Sequence, residues 1–174
     1  MGLFSRLKKN VKASVGRNDD KPGTYLQRID AITEEATEDG KGYVKVHKTT
    51  LAVLENADGR AHDPGEETSH TYWEDSPKYQ NRYLTRDLKI LAKILFGMEQ
   101  AEADNLEFED LERILVKENK AKGLVIEHKV WEVVDAKQKN DDGNPKTYTR
   151  FKVVRVVPVD ELVDAGVIPA EAAA

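Results

Sequence analysis

Apolar and polar positions divide the chain into segments of two periods. Leu3, Leu7, Val11 and Val15 recur at the spacing of one helix face, and Gly16 offers a stop. After the linker Arg17–Gly23 the period shortens. Residues 25–32 are rich in β-formers, Asp39-Gly40 and Gly42 make a turn, and 43–54 resume as a long strand. In that strand Val44 and Val46 share one face and Tyr43, Lys45 and His47 the other. Leu51 and Val53 then fall on the opposite parity, so a bulge is expected near Lys48-Thr49. Residues 56–67 form a loop around Asp58-Gly59 and Pro64-Gly65, and 68–74 a short third strand.

The helical period returns at Leu84, Leu88, Leu91 and Leu95, joined by Ile90 and Ile94 and ended by Gly97. A second helix is expected from Asp104, with Glu107 completing a capping box and Phe108, Leu111, Ile114 and Leu115 buried. Beyond Gly123, Leu124, Ile126, His128 and Val130 alternate with Val125, Glu127, Lys129 and Trp131. Asp142-Gly143-Asn144-Pro145 is a hairpin turn, and 146–157 a last strand stopped by Pro158. The order strand, strand, strand, helix, strand, strand predicts a mainly β fold with a helical insert. It is that of a five-stranded OB-type Greek-key barrel with one or two helices between strands 3 and 4, plus an N-terminal helix; a five-stranded α+β sandwich is the alternative. The chain thus divides into a basic amphipathic arm (1–21), the OB-like domain (22–157) and an acidic tail (158–174) without a clear packing signal.

Composition narrows the chemistry. At 174 residues the chain suits one domain with accessory segments, and 34% charged residues make it polar. With no cysteine, disulfide scaffolds, thiolate metal sites and cysteine nucleophiles are excluded, and a cytoplasmic setting is expected. No apolar run reaches the roughly 18 residues of a membrane span, so no membrane partner is expected. The net charge of −5 conceals segregation: residues 1–21 and 78–93 are each +4, whereas 99–112 hold seven carboxylates and no base. Such blocks argue for a polyanionic partner.

Neither phosphate-cradling glycine loops nor a nucleophile elbow nor H-E-x-x-H occurs, so no enzyme and no cofactor is expected. His62 and His70 flank a loop with Asp63, Glu66 and Glu67, but spacing alone does not make a metal site there. What recurs is a ring beside a cation. Tyr43, Lys45 and His47 share a face of the second strand, Lys129 and Trp131 one of the fourth, and Tyr148, Arg150 and Lys152 one of the last. Trp73, Lys78, Tyr79, Arg82, Tyr83 and Arg86 interleave the same types before and into the helix. Stacking platforms beside phosphate-binding cations are what a single-strand binder needs.

The opening Gly23-Thr24-Tyr25-Leu26-Gln27-Arg28-Ile29-Asp30 resembles the start of a family of bacteriophage single-stranded-DNA-binding proteins long catalogued as of unknown function. The helix Leu88–Gly97, the segment Gly123-Leu124-Val125-Ile126-Glu127 and the aromatic-containing last strand are similar too, extending the resemblance over about residues 22–157. It implies an OB-fold binder of single-stranded DNA without a cofactor, acting in phage-type DNA replication or recombination beside the proteins of those processes. The chain departs from the family at Glu171-Ala-Ala-Ala, which lacks a terminal aromatic. The alternative is a protein–protein module, either a virion component or an acidic mimic of nucleic acid built on 99–112. Leu3, Leu7 and Val11 allow self-association as readily as they allow DNA contact.

Overall fold

The computed structural model describes residues 20–169; the arm helix expected over 3–15 and residues 170–174 lie outside them. Five strands carry the fold: β1 (Gly23–Ala36), β2 (Gly42–Glu55), β3 (Glu67–Trp73), β4 (Val125–Lys139) and β5 (Pro145–Val156). They form one antiparallel sheet in the order β3-β2-β1-β4-β5, with short helices between β3 and β4 and after β5. The sheet curls, so that rings from its two edge strands meet. Phe151 of β5 lies 4.6 Å from His70 and 5.4 Å from Tyr72 of β3, centroid to centroid. The chain is thus mainly β, as its alternating segments predict.

β1 runs through Thr33–Ala36, further than its apolar residues alone suggest, because the tight turn at 37–41 keeps those residues paired with 42–45. The expected bulge exists, slightly displaced. Leu26 faces Ala52 and Gln27 faces Thr50, which leaves Leu51 as an extra residue; Leu54 is skipped in the same way nearer the strand's end, and Asp30 is the extra residue on β1. Each inserted residue inverts the inside–outside parity of the strand beyond it.

Helix α1 (Arg82–Phe96) closes one side of the curled sheet. Leu84, Leu88, Leu91, Ala92 and Leu95 are buried against Ile29, Ile32, Val44, Val46, Ile126 and Val153. Fully burying a side chain of this kind stabilises by roughly 1.5–3 kcal/mol. Asp75 caps the helix from outside: its carboxylate accepts from the backbone N–H of Tyr83 (2.7 Å) and Leu84 (3.2 Å). That contact holds the sharp entry through Gln80 and Asn81, both at positive φ. Gly97, at φ 61°, ends the helix in the left-handed conformation that glycine adopts without a steric penalty.

The second expected helix is two short ones. The first, α2 (Gln100–Asp104), is capped reciprocally by Glu99 and Glu102; α3 (Phe108–Leu111) is capped by Glu107 and Asp110. Glu107 is therefore the start of a helix rather than the third residue of one begun at Asp104. A wider turn over Glu112–Lys117 comes next, and buries Ile114 and Leu115. The acidic segment also packs, although its sequence carries no clear signal for it: α4 (Val159–Asp164) sets Leu162 into a second small core with Leu26, Val125 and Val157.

Candidate nucleic-acid interface

Residues directly opposite in an antiparallel pair project from the same face. Register therefore decides whether the ring-and-cation sets of β4 and β5 belong together. Lys129 faces Lys152, Trp131 faces Arg150 and Val133 faces Tyr148, so both sets occupy one face of the β4–β5 hairpin. Lys129, Arg150 and Lys152 are exposed, Trp131 is 38% exposed and Tyr148 is half-buried. The Arg150 guanidinium lies 5.7 Å and Lys146 Nζ 5.5 Å from the Tyr148 ring centroid, and the Tyr148 hydroxyl donates to Gln138 Oε1 at 2.6 Å. None of Lys129, Arg150 and Lys152 makes an ion pair among the described residues. Arg155 and Arg60, beyond this patch, are committed elsewhere: Arg155 to Glu127 and Glu161, Arg60 to Asp58 and Glu132.

The β2 set is placed differently. Tyr43 is fully buried, its ring 4.8 Å from that of Trp73, and so presents no free face to a base. This corrects the expectation of a stacking platform there. The reason is the sheet order: β2 lies between β1 and β3, and Trp73 is the residue of β3 directly opposite Tyr43. His47 is tied to Thr33 at 2.9 Å and faces Glu35 at 3.9 Å; burial holds its imidazole below the ordinary range, against the pull of Glu35. Lys45 is half-buried on that face. Trp73 is half-buried, with Lys41 Nζ 5.1 Å above its ring.

Between the edges of β3 and β5, with α1 as floor, lies a cleft of about 690 Å³. Trp73 forms one lip; Tyr148, Arg150 and Lys152 form the other. The outer face of the hairpin thus turns over the edge of β5 into this cleft. The α1 set forms a separate cationic surface: Arg82, Arg86, Lys89 and Lys93 line a second groove against α2. Beside it Tyr79 and Tyr83 stand exposed, ring centroids 5.1 Å apart, with Arg86 over Tyr83 at 5.2 Å.

Inside the curled sheet lies a polar cluster. Lys48, 1% exposed, places Nζ 3.0 Å from Asp20, 2.7 Å from His70 Nδ1 and 3.1 Å from His128 Nδ1. An ammonium only donates, so His70 accepts through Nδ1, while His128 Nδ1 is shared between Lys48 and the Gln27 Oε1 at 2.9 Å. Burial pushes Lys48 down to about 8 despite Asp20, and pushes His70 well below and His128 down to about 3. Burial acts to raise the Asp20 carboxyl, but Lys48 and His62 outweigh it and hold the group ionised. Asp20, His70 and His128 have the donor set of a metal site, with ligand atoms within 4.8 Å of one another. They converge on Lys48 Nζ, which fills the position a cation would take. His62 borders the cluster: its Nε2 accepts from the Lys21 N–H at 3.0 Å and lies 3.7 Å from Asp20 Oδ1, and its Nδ1 faces Glu66 at 3.0 Å.

The sequence signal for this cluster is the parity of β2. Val44, Val46, Lys48 and Thr50 alternate on one face, which puts a lysine in a row of core positions. His128 stands likewise between Ile126 and Val130. No family model matches this chain, and no curated protein matches its sequence.

Proposed function

We propose that this chain is a non-catalytic binder of single-stranded DNA that grips the strand on the outer face of the β4–β5 hairpin. The observation that carries the reading is the register pairing Lys129 with Lys152 and Trp131 with Arg150. Two sequence-distant ring-and-cation sets become one accessible patch whose cations lack carboxylate partners among the described residues. Phosphates meet Lys129, Arg150 and Lys152, and bases stack on Trp131 and Tyr148. Arg82 and Arg86 extend the cationic surface along α1, with Trp73 at the far lip of the cleft.

The OB-type reading is part of the same proposal. In its favour, β1 pairs with both β2 and β4, the helices fall between β3 and β4, and the edge strands β3 and β5 approach through Phe151, His70 and Tyr72. Binders of this architecture use a curved, charged sheet face for unpaired strands. The resemblance to phage single-stranded-DNA-binding proteins supports a role in replication or recombination.

The test is titration of a fluorescent oligonucleotide at several salt concentrations, with single strand, duplex and RNA compared. The logarithm of single-strand affinity should fall linearly with the logarithm of salt. Arg150→Ala with Lys152→Ala should flatten that slope by roughly one unit for each phosphate no longer neutralised. Absent binding, or binding indifferent to salt, refutes the reading.

A further inference from the structure

We propose that the cleft between β3, β5 and α1 receives one unstacked base of the bound strand and selects bases that carry an exocyclic amino group, cytosine over thymine. The inference rests on the single-strand reading above and adds base discrimination to it.

The cleft's volume falls within the range of about 300–1,000 Å³ found for small-molecule sites. Its walls are aromatic, from Trp73, Tyr148 and Phe151, and its floor is apolar, from Ile90 and Ile94 of α1. Flat apolar walls suit a planar base. They also give a place to Ile90, an isoleucine 51% exposed on α1. Arg150 and Lys152 stand at the lip. A phosphate held by them leaves its base above the opening, so the backbone contacts and the cleft serve adjacent parts of one nucleotide.

Asp87 supplies the selectivity. It lines the cleft from α1, and Arg86 takes only one of its oxygens: both guanidinium contacts, at 3.0 and 2.9 Å, are to Oδ1. Among the described residues nothing donates a hydrogen bond to Oδ2. A carboxylate oxygen only accepts, so it favours the N4 amino group of cytosine and opposes the O4 carbonyl that thymine presents at the same place. Base stacking by itself is tolerant of sequence. A binder that relied on the hairpin face alone would therefore treat the two pyrimidines alike.

The experiment compares oligo-dC and oligo-dT of equal length by fluorescence anisotropy, using the full chain at neutral pH and one salt concentration. Oligo-dC should bind roughly tenfold more tightly, as expected for one hydrogen bond to a charged acceptor. Asp87→Asn should bring the two to near equality while the salt slope persists. Ile90→Trp, which fills the cleft without touching the carboxylate, should do the same, so the inference does not hang on one variant. Equal binding of both oligonucleotides with a normal salt slope overturns the base pocket and leaves the single-strand reading standing. A preference that survives in Asp87→Asn overturns it too, and failure to bind either oligonucleotide overturns both.

Discussion

The Lys48 ammonium lies 3.0 Å from the Asp20 carboxylate, with both side chains wholly excluded from solvent. Breaking such a pair from one side leaves a lone buried charge, a loss of about 3–5 kcal/mol. Lys48→Met should therefore lower the free energy of urea unfolding by that amount. The double variant Lys48→Met, Asp20→Asn should be less destabilised than the sum of the singles, because neither leaves the other's charge stranded. Additive losses would show that the two groups do not act as a pair.

The imidazoles of the same cluster set an acid limit. His70 and His128 titrate lower in the folded chain than when unfolded, because burial and Lys48 oppose a second positive charge. The unfolded chain therefore binds more protons below its histidine range near 6.5, and stability must fall as pH drops from there toward 3. Near pH 5 unfolding should take up protons at both imidazoles, so stability should fall by more than about 1 kcal/mol for each pH unit lost. His62 titrates higher when folded, since Asp20 and Glu66 overcome its burial. Its contribution is complete below the unfolded value and is lost as pH rises through the folded one, so it adds a shallow decline on the alkaline side. Urea midpoints measured across pH 4–8 check both arms.

Trp131 should separate stacking from charge. Trp131→Ala is expected to weaken single-strand binding by about 1–3 kcal/mol with little change in salt slope, whereas Lys129→Ala should change the slope. The chain has two tryptophans. Trp73→Phe leaves Trp131 as sole reporter, and its fluorescence should still be quenched by oligonucleotide. An unquenched Trp131 would remove it from the interface.

Which of these features the sequence reveals depends on how local their cause is. The strand–helix order, the stop at Gly97 and the hairpin turn after β4 arise from periodicity and turn residues, and they are legible. The bulge is legible as a parity change in β2, but the inserted residue nearest to Lys48-Thr49 is Leu51, because the pairing with β1 fixes the position. Tyr43 and Tyr148 look alike in sequence, each beside a cation on an alternating strand. Only sheet order separates them: β2 is an inner strand whose ring is covered from β3, while β5 is an edge. The Lys48 cluster joins residues as distant in the chain as Asp20 and His128, and the parity of β2 hints at it only once the core face is known.

Leu162 carries a similar lesson about the end of the chain. It is 1% exposed, in a core shared with Leu26, Val125 and Val157. Leu162→Ala should cost about 2–5 kcal/mol. A neutral outcome in thermal unfolding would mean that α4 contributes nothing to the stability of the sheet.

β5 is an outer strand, and it holds Lys146, Arg150 and Lys152 along its length. An unprotected sheet margin is a template for fibril growth, and lysine or arginine there is a common safeguard. These charges, of which Arg150 and Lys152 are proposed to hold a polyanion, would thus also keep two copies from zipping margin to margin. Neutralising all three should raise the chain's tendency to aggregate, and a polyanion that screens them should do the same at high protein concentration.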